Sequence, residues 1–459
     1  MTKASQTVAK KRKLGKTFWI LNFIEMFERL GYFSLRVMAP IYIMQVGKNP
    51  GGLHLTAGHK GWIYAWWAAV QSGLPVLTGG FADRYGYKRI MGLSIVLNFL
   101  GYLQMAFVHT YHGFFFGVLL LATGTAFFKP SIQGSLAQSF DKENASMGWG
   151  VFYWVVNIGS VIAHYIAGPL VGIKDAQGWQ HLMFAGAAAT AFNAILMFTF
   201  KDVPSGASKV EGVFEVAKRT LINIWDARLI AWLLIMSCFW LMMYQLWDLQ
   251  PNFIEDWVDS SQIAAFLPSF MTEASDVGGI RAKQQVLISL NSVLIVALMV
   301  PVSWVVRKMR TLSAMLIGML MATFGLLFAG LTDNGWFLLL GISFFSFGEM
   351  LTGPKKQEYL GLIAPEGKKG LYLGYVNIPI GIGLFVGSLL QGKLYGEHGE
   401  KATLALRYLV EKTPYGQGRT WNQNVATLEA TAGIKRVDGF RRLSEELKME
   451  PKGANRLLW

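Results

Sequence analysis

FWILNFIEMFERLGYFSLRVMAPIYIM, Phe18 to Met44, is the stretch whose reading decides the fold. It exceeds the roughly 20 residues that a helix needs to cross the hydrocarbon core of a bilayer. Yet this apolar run carries Glu25, Glu28, Arg29, Tyr32 and Arg36, spaced so that all five fall along one stripe of a helix. An ionisable group at membrane depth costs at least about 2.5–3.5 kcal/mol on insertion scales, so such a stripe normally faces an internal polar cavity. The plainer alternative is a structural salt-bridge cluster in which Glu25 or Glu28 merely neutralises Arg29. Four charges with a tyrosine exceed what holding two helices together requires. A basic segment precedes the run, as in a signal peptide, but the run is too long, too charged and without a clear cleavage site. It reads as the first of many membrane spans.

Working outward, runs such as Val293 to Trp304 and Leu316 to Leu331 could not be solvated as surface. The chain is 53% hydrophobic and 15% charged, against roughly a quarter charged in average soluble domains. Hydropathy predicts about eleven spans, beginning near Phe18, Trp62, Ile90, Phe114, Gly148, His181, Leu229, Val286, Leu312, Trp336 and Tyr372. The fold class expected is an all-α integral membrane protein of two six-helix bundles, with the twelfth span missing. The divisions expected are an N-terminal bundle over 1–200, a cytoplasmic linker over 201–228, a C-terminal bundle over 229–396, and a polar, extra-cytoplasmic tail over 397–459. Within that tail, helices are expected near Ala402 to Glu411 and Gly439 to Met449, and the terminal Leu457, Leu458 and Trp459 could begin another span.

The net charge of +14 is not a nucleic-acid footprint, because of where the charges lie. Lys3 to Lys16, Arg84 to Arg89, Lys201 to Arg228, Arg307 to Arg310 and Lys355 to Lys369 place Lys and Arg in every second connection. That asymmetry puts the N-terminus in the cytoplasm and the chain in a cell membrane. The single cysteine, Cys238, allows neither an intrachain disulfide nor a cysteine metal site. His109 and His112 sit in a loop without an acidic partner and read as surface. With no Walker A pattern, no nucleophile–base set and no metal cluster, neither an enzyme nor a cofactor is expected.

Other polar residues interrupt apolar runs. Lys129 lies in Gly124-Thr125-Ala126-Phe127-Phe128-Lys129-Pro130, deep in the fourth span, where a snorkelling lysine is the alternative. Glu349 in the tenth span has apolar neighbours on both sides, which makes it a candidate proton carrier or else a satisfied buried carboxyl. Asn157 and Asn291 are amides that join helices as readily as they bind a ligand. His164, on the face of Asn157, reads as packing. The connection Gly79-Gly80-Phe81-Ala82-Asp83-Arg84-Tyr85-Gly86-Tyr87-Lys88-Arg89 reads as gate machinery, with Asp83 accepting from a helix end and Arg84 latching the bundles.

That connection resembles the signature between the second and third helices of the major facilitator superfamily. Glu25-Met26-Phe27-Glu28-Arg29-Leu30-Gly31-Tyr32 resembles the E-x-x-E-R-F-x-Y motif of its proton-dependent oligopeptide transporters, and Phe152-Tyr153-Trp154-Val155-Val156-Asn157 their F-Y-x-x-I-N motif. Phe127-Phe128-Lys129-Pro130 looks like their fourth-helix lysine segment, and Gly348-Glu349 with Pro354 and Ala364-Pro365 like their tenth-helix pattern. The resemblance covers Phe18 to about Tyr395. It implies proton coupling through Glu25, Glu28 and Arg29, to which Glu349 is added as the candidate proton carrier read from its apolar surroundings. It also implies a peptide carboxylate on Arg36 and Lys129, its amino end toward Asn157, Asn291 and Glu349, and a pocket wall at Tyr32. The activity implied is import of di- or tripeptides, or a related small zwitterion, with protons, by a monomer. The alternatives are an anion or modified amino acid as cargo, and a non-transporting membrane receptor.

One position departs from the family. Its seventh helix usually has a glutamate before a glutamine, whereas here Phe239-Trp240 leads to Tyr244-Gln245. Tyr244 cannot supply a negative charge near pH 7, and Arg36 needs an acidic partner because an unpaired guanidinium in a poorly hydrated cavity is costly. Asp248, one turn on, is the expected replacement and gate partner. The alternative is that it only caps the helix before Pro251.

Overall fold

The computed structural model describes residues 15–47, 49–139, 145–202, 225, 227–363, 377–416 and 433–459. The basic N-terminal segment, most of the linker and Ala364-Pro365 lie outside the described residues. The first half is built from α1 (Lys16–Met44), α2 (Ala57–Gly73), α3 (Pro75–Tyr85), α4 (Tyr87–Phe107), α5 (Tyr111–Ala137), α6 (Ala145–Val171) and α7 (Ala176–Met197). Helices α2 and α3 run on as one span with a break at Leu74, before Pro75, whose missing N–H interrupts the ladder. The second half has α8 (Ala227–Met243), α9 (Gln245–Asp248), α10 (Gln250–Trp257), α11 (Gln284–Val306), α12 (Thr311–Gly330), α13 (Gly335–Ile363) and α14 (Ile378–His398). A short antiparallel ribbon, β1 (Thr272–Ala274) with β2 (Ile280–Ala282), sits between α10 and α11.

Among the described residues, with α2 and α3 counted as one membrane-length segment and α8 to α10 as another, there are eleven such segments, as expected from hydropathy. Among the described residues, eight stretches are both long and apolar enough to cross a membrane, by length and composition. α1 is not among them, since Glu25, Glu28, Arg29 and Arg36 lie within it.

Each half has its own apolar core. In the first, Tyr42, Tyr64, Trp67, Phe114 and Trp179 anchor one cluster. In the second, Trp232, Met236, Ile288, Leu338 and Phe345 belong to another. The halves meet along α2 against α14 and α6 against α11. The first contact depends on missing side chains. A Cβ on Gly61 would come within 2.7 Å of the Ser388 carbonyl oxygen and 3.1 Å of Gly392 Cα, so these helices approach at backbone distance.

Beyond α14 the chain turns at Gly399 into α15 (Lys401–Lys412), and later forms α16 (Gly439–Glu446) and α17 (Pro451–Leu458). Ala405, Leu406, Leu409 and Val410 pack with Ile434 and Leu443 in a small separate core. Arg436 fastens this tail to the first half. It donates to the carbonyls of His54 (3.1 Å) and Leu55 (3.0 Å), just before α2, and pairs with Glu400. Those contacts fall at the end of the bundle opposite Arg84. Trp459 packs back on Phe253 and Trp257, with ring centroids 5.7 and 5.5 Å apart. Leu457 and Leu458 thus lie in α17, and Trp459 after it rests on α10.

Candidate functional site

The charged stripe of α1 is buried as expected, and it splits into two clusters. Toward the basic end, Glu25 is fully buried, and Glu28 and Arg29 nearly so. Arg29 Nε lies 3.4 Å from Glu25 Oε1, and the same guanidinium bonds Glu28. From α5, Lys129 Nζ donates to Glu25 Oε1 at 2.5 Å. The guanidinium also lies 4.5 Å over the Tyr32 ring. Two acids thus balance two cations, which is how buried ionic groups are tolerated. Glu25 Oε2 and Glu28 Oε1 accept no hydrogen bond from the described protein groups. All of these groups belong to the first half. Lys129 is bound inward to Glu25 and does not snorkel.

Two turns along, the guanidinium of Arg36 bonds the carboxylate of Asp248 across the interface, both residues being almost fully buried. Arg36 is sandwiched by aromatic faces as well, 4.2 Å from the Tyr64 centroid and 4.6 Å from Trp67. Local chemistry accounts for Asp248. Pro251 has no N–H, the helix breaks between α8 and α10, and Asp248 sits in that break with its side chain turned to the first half. It is not a surface cap. Tyr244 lies within Coulombic reach of Tyr32, Arg36, Asp248 and Glu349, so it stands between the two halves' charges.

Sequence reasoning missed Lys60. Fully buried in α2, its Nζ donates to the Asp248 carbonyl (2.7 Å) and to Asn252 Oδ1 (2.6 Å). Asn252 in turn donates to the Pro40 carbonyl at 3.0 Å. The signal available was Thr56, which caps α2 through the His59 N–H and so sets Lys60 inside the helix.

In the second half, Asn291 Nδ2 of α11 donates to Glu349 Oε2 (3.0 Å) and to Ser346 Oγ (3.1 Å) on α13. Glu349 also has a cation in reach. Lys356, two turns on along the same helix, interacts with it and lies 4.3 Å over the Trp240 ring. Asn157 is spent on its own helix, donating to the Tyr153 carbonyl at 2.9 Å. His164 is likewise held by the Ser160 carbonyl at 2.7 Å. Arg84 is exposed at the basic end, and the Asp83 side chain lies outside what is described. No group of three or more potential metal ligands occurs among the described residues.

A second inter-half cluster sits at the tail end, where no sequence signal pointed. Lys174, after α6, lies 2.9 Å from Glu273 and 3.6 Å from Glu255. Arg281 of β2 pairs with both acids. Against its burial, which pushes the other way, Lys174 and Arg281 hold the Glu273 carboxyl down at about 2. Gln45 donates to Asp256 at 2.9 Å nearby. Among ion pairs between described residues, those joining the halves all lie at Arg36 or closer to the tail end.

The profile of the Major Facilitator Superfamily matches residues 21–388. The chain belongs to that superfamily. This major facilitator protein is 23% identical over 414 residues to multidrug resistance protein MdtH of Blochmanniella pennsylvanica, covering 88% of this chain and 91% of that one. It is 26% identical over 204 residues to dipeptide and tripeptide permease A of Erwinia pyrifoliae, covering 43% of this chain and 39% of the permease. Among solved structures, a POT family transporter in complex with 5-aminolevulinic acid matches with TM-score 0.65 and 16% identity, over 84% of this chain and 91% of that one. A nucleoside transporter matches with TM-score 0.68 and 13% identity, over 83% and 92%. The superfamily resemblance read from the sequence is borne out by that match, and this major facilitator chain is a multi-pass membrane protein with the fold of transporters.

Proposed function

We propose that this major facilitator protein is a proton-coupled symporter for a small zwitterion, in the first instance a di- or tripeptide. The observation that carries the reading is the Lys129–Glu25 ion pair beside Glu28 and Arg29, set in one half while Glu349 with Asn291 stands in the other. Lys129 is occupied as long as Glu25 is ionised. A proton arriving on Glu25 releases the ammonium of Lys129, and a substrate carboxylate then takes it. Proton and carboxylate together add no net charge, so the cavity binds both without the cost of burying an unpaired ion. Glu349 supplies the acid for the substrate's amino end, with Tyr32 and Tyr244 lining the space between. Arg36 paired with Asp248 then acts as the gate. With the N-terminus cytoplasmic in a cell membrane, the tail end faces outward, and the arrangement described is the one closed to the outside. Arg84, with Asp83, serves the opposite gate. The driving force is ionic, about 2.3 kcal/mol per proton per 100 mV.

The test is uptake by proteoliposomes under an imposed proton gradient, with peptides, amino acids and nitrate as competitors. Accumulation of a labelled dipeptide that collapses with a protonophore is expected. Gradient-driven accumulation of nitrate in place of peptides would overturn the cargo. One observation favours a second reading, drug efflux: the multidrug resistance protein matches 88% of the chain, and the permease 43%. Efflux of a cationic dye with no peptide uptake would decide for it.

A further inference from the structure

A cavity of about 700 Å³ lies away from the central site, where the tail covers the end of the bundle. Three separate parts of the chain line it. Gln45 and Gly47 come from the end of α1, Asp256 and Asp276 from the second half, and Lys401 with Phe440 from the tail. Its volume lies in the range of small-molecule sites.

Lys401 is the anomaly. The residue is 6% exposed, and among the described residues its Nζ makes no hydrogen bond and no ion pair. It has only the ring faces of Phe440 at 5.0 Å and Trp257 at 5.7 Å. A buried ammonium without an anionic partner is costly. Asp256 does not answer it. One of its oxygens takes the Gln45 amide at 2.9 Å, and the other takes the Tyr395 hydroxyl at 2.7 Å and the Lys401 backbone N–H at 3.4 Å. Asp276, which is only half-buried, is left over as well. Its carboxylate lies against Gly47, where a Cβ would be 1.8 Å from Oδ2, and it makes no hydrogen bond or ion pair. Lys401 and Asp276 are within Coulombic reach of each other but are not paired. The remaining charges on the wall differ: Glu445 is matched by Arg441 and Arg442, and Lys448 and Glu450 are solvated.

We propose that this cavity is a second ligand site, taking a small zwitterion with its carboxylate on Lys401 and its ammonium on Asp276. Val437, Phe440 and Met449 form the apolar wall for its side chain. Because the lining comes from both halves and the tail, an occupant holds all three together and favours closure of this end. The site is separate from Lys129 and Glu349 and does not depend on which cargo the central cavity carries.

The probe is L-alanyl-L-alanine, titrated calorimetrically into the full chain in nanodiscs. In the Lys129→Ala/Glu349→Gln background, which removes the central site, one dialanine still binds. Adding Lys401→Gln, or Gly47→Ala to displace Asp276, weakens that binding at least tenfold. No binding in the background variant, or affinity within twofold after Lys401→Gln, overturns the proposal. A measurement on the unaltered protein guards against misfolded variants. Acylation of the Lys401 amine by an amine-reactive ester, read by peptide mass, slows several-fold with dialanine, and an unchanged rate also overturns it. Gradient-driven uptake separates the two readings. Protection of Lys401 without any uptake of dialanine defeats the central reading alone, and uptake without protection defeats this one alone.

Discussion

Two buried charge clusters share α1, and they differ in what must happen to them when the halves move apart. Glu25, Glu28, Arg29 and Lys129 all belong to the first half, so they travel together and no rocking of one half against the other breaks them. Arg36–Asp248 and Lys174–Glu255/Glu273 each join the halves, so opening the tail end must break them. A cluster inside one rigid body can change only by gaining or losing a proton or a ligand. A cluster across the interface can change by motion. Position alone therefore separates the charges that relative motion of the halves must break from those that it leaves together.

The largest effect expected is on the gate. Arg36→Ala strands Asp248 in a site with 1% exposure, and removing one partner of a buried pair costs about 3–5 kcal/mol. That shifts the equilibrium between closed and open tail end by roughly a hundredfold or more. Spin labels on the exposed His59 and Gln262, one on each half at the tail end, should move from a short to a long distance. Uptake should fall at least a hundredfold, and Asp248→Asn should do the same. A short distance kept in Arg36→Ala would erase the contrast between the clusters. Glu25→Gln is the counterpart and comes next. It should abolish accumulation against a gradient while counterflow exchange stays within a few-fold and the label distance is unchanged. Uphill uptake that persists in both Glu25→Gln and Glu28→Gln would leave that cluster a structural salt bridge.

The contrast also explains what the sequence made legible. The stripe of α1 was readable because one helix period brings its members together, and the partner of Arg36 was reachable by moving one turn from Tyr244. The eleven-segment plan followed from hydropathy in the same way. Lys60 was not readable, since a lysine near the start of an apolar run looks the same in a loop and in a helix until the Thr56 cap is assigned. Lys174 comes from one connection, Glu273 and Arg281 from the two strands of another, and Glu255 from the helix before that ribbon, with no period to link them. Asn157 shows the opposite failure. Its motif was plain, but its amide is turned to its own helix at Tyr153.

A middle-sized effect is expected at that unreadable cluster. In Lys174→Ala, Arg281 still pairs with both acids, so the loss is smaller than at Arg36, about 1–2 kcal/mol, or roughly tenfold in the closed fraction. Its pH dependence has a definite sign. Glu273 is held from its ordinary 4.5 down at about 2, so its contribution is fully present above 4.5 and is lost as pH falls from there toward 2. The part of the His59–Gln262 label distance that depends on Glu273 should therefore change only below about pH 4.5, and Glu273→Gln should abolish that acid-end lengthening. In Lys174→Ala the lengthening should begin at higher pH. A change centred near pH 7 that survives Glu273→Gln would assign the sensitivity elsewhere.

The smallest effect tests whether the gate needs charge or position. Tyr244 interacts with Arg36 and Asp248 from one turn away, at the position where the resemblance to the oligopeptide transporters implies an acid. In Asp248→Asn the guanidinium of Arg36 keeps its aromatic sandwich of Tyr64 and Trp67 but loses its counter-ion. Adding Tyr244→Glu returns one negative charge to the same cavity, a turn nearer Glu349. If charge is what closes the gate, the double variant should recover a few-fold of the lost uptake, with the His59–Gln262 distance partly shortened. Selectivity should shift toward dipeptides at the same time, because the phenol is gone from the wall beside the cargo. The recovery should be partial, since Lys60 is tied to the Asp248 backbone and Asn252, and that anchor does not follow the acid inward. No recovery at all would mean that closure depends on Asp248 at its own place in the helix break, which the change at Tyr244 cannot reproduce.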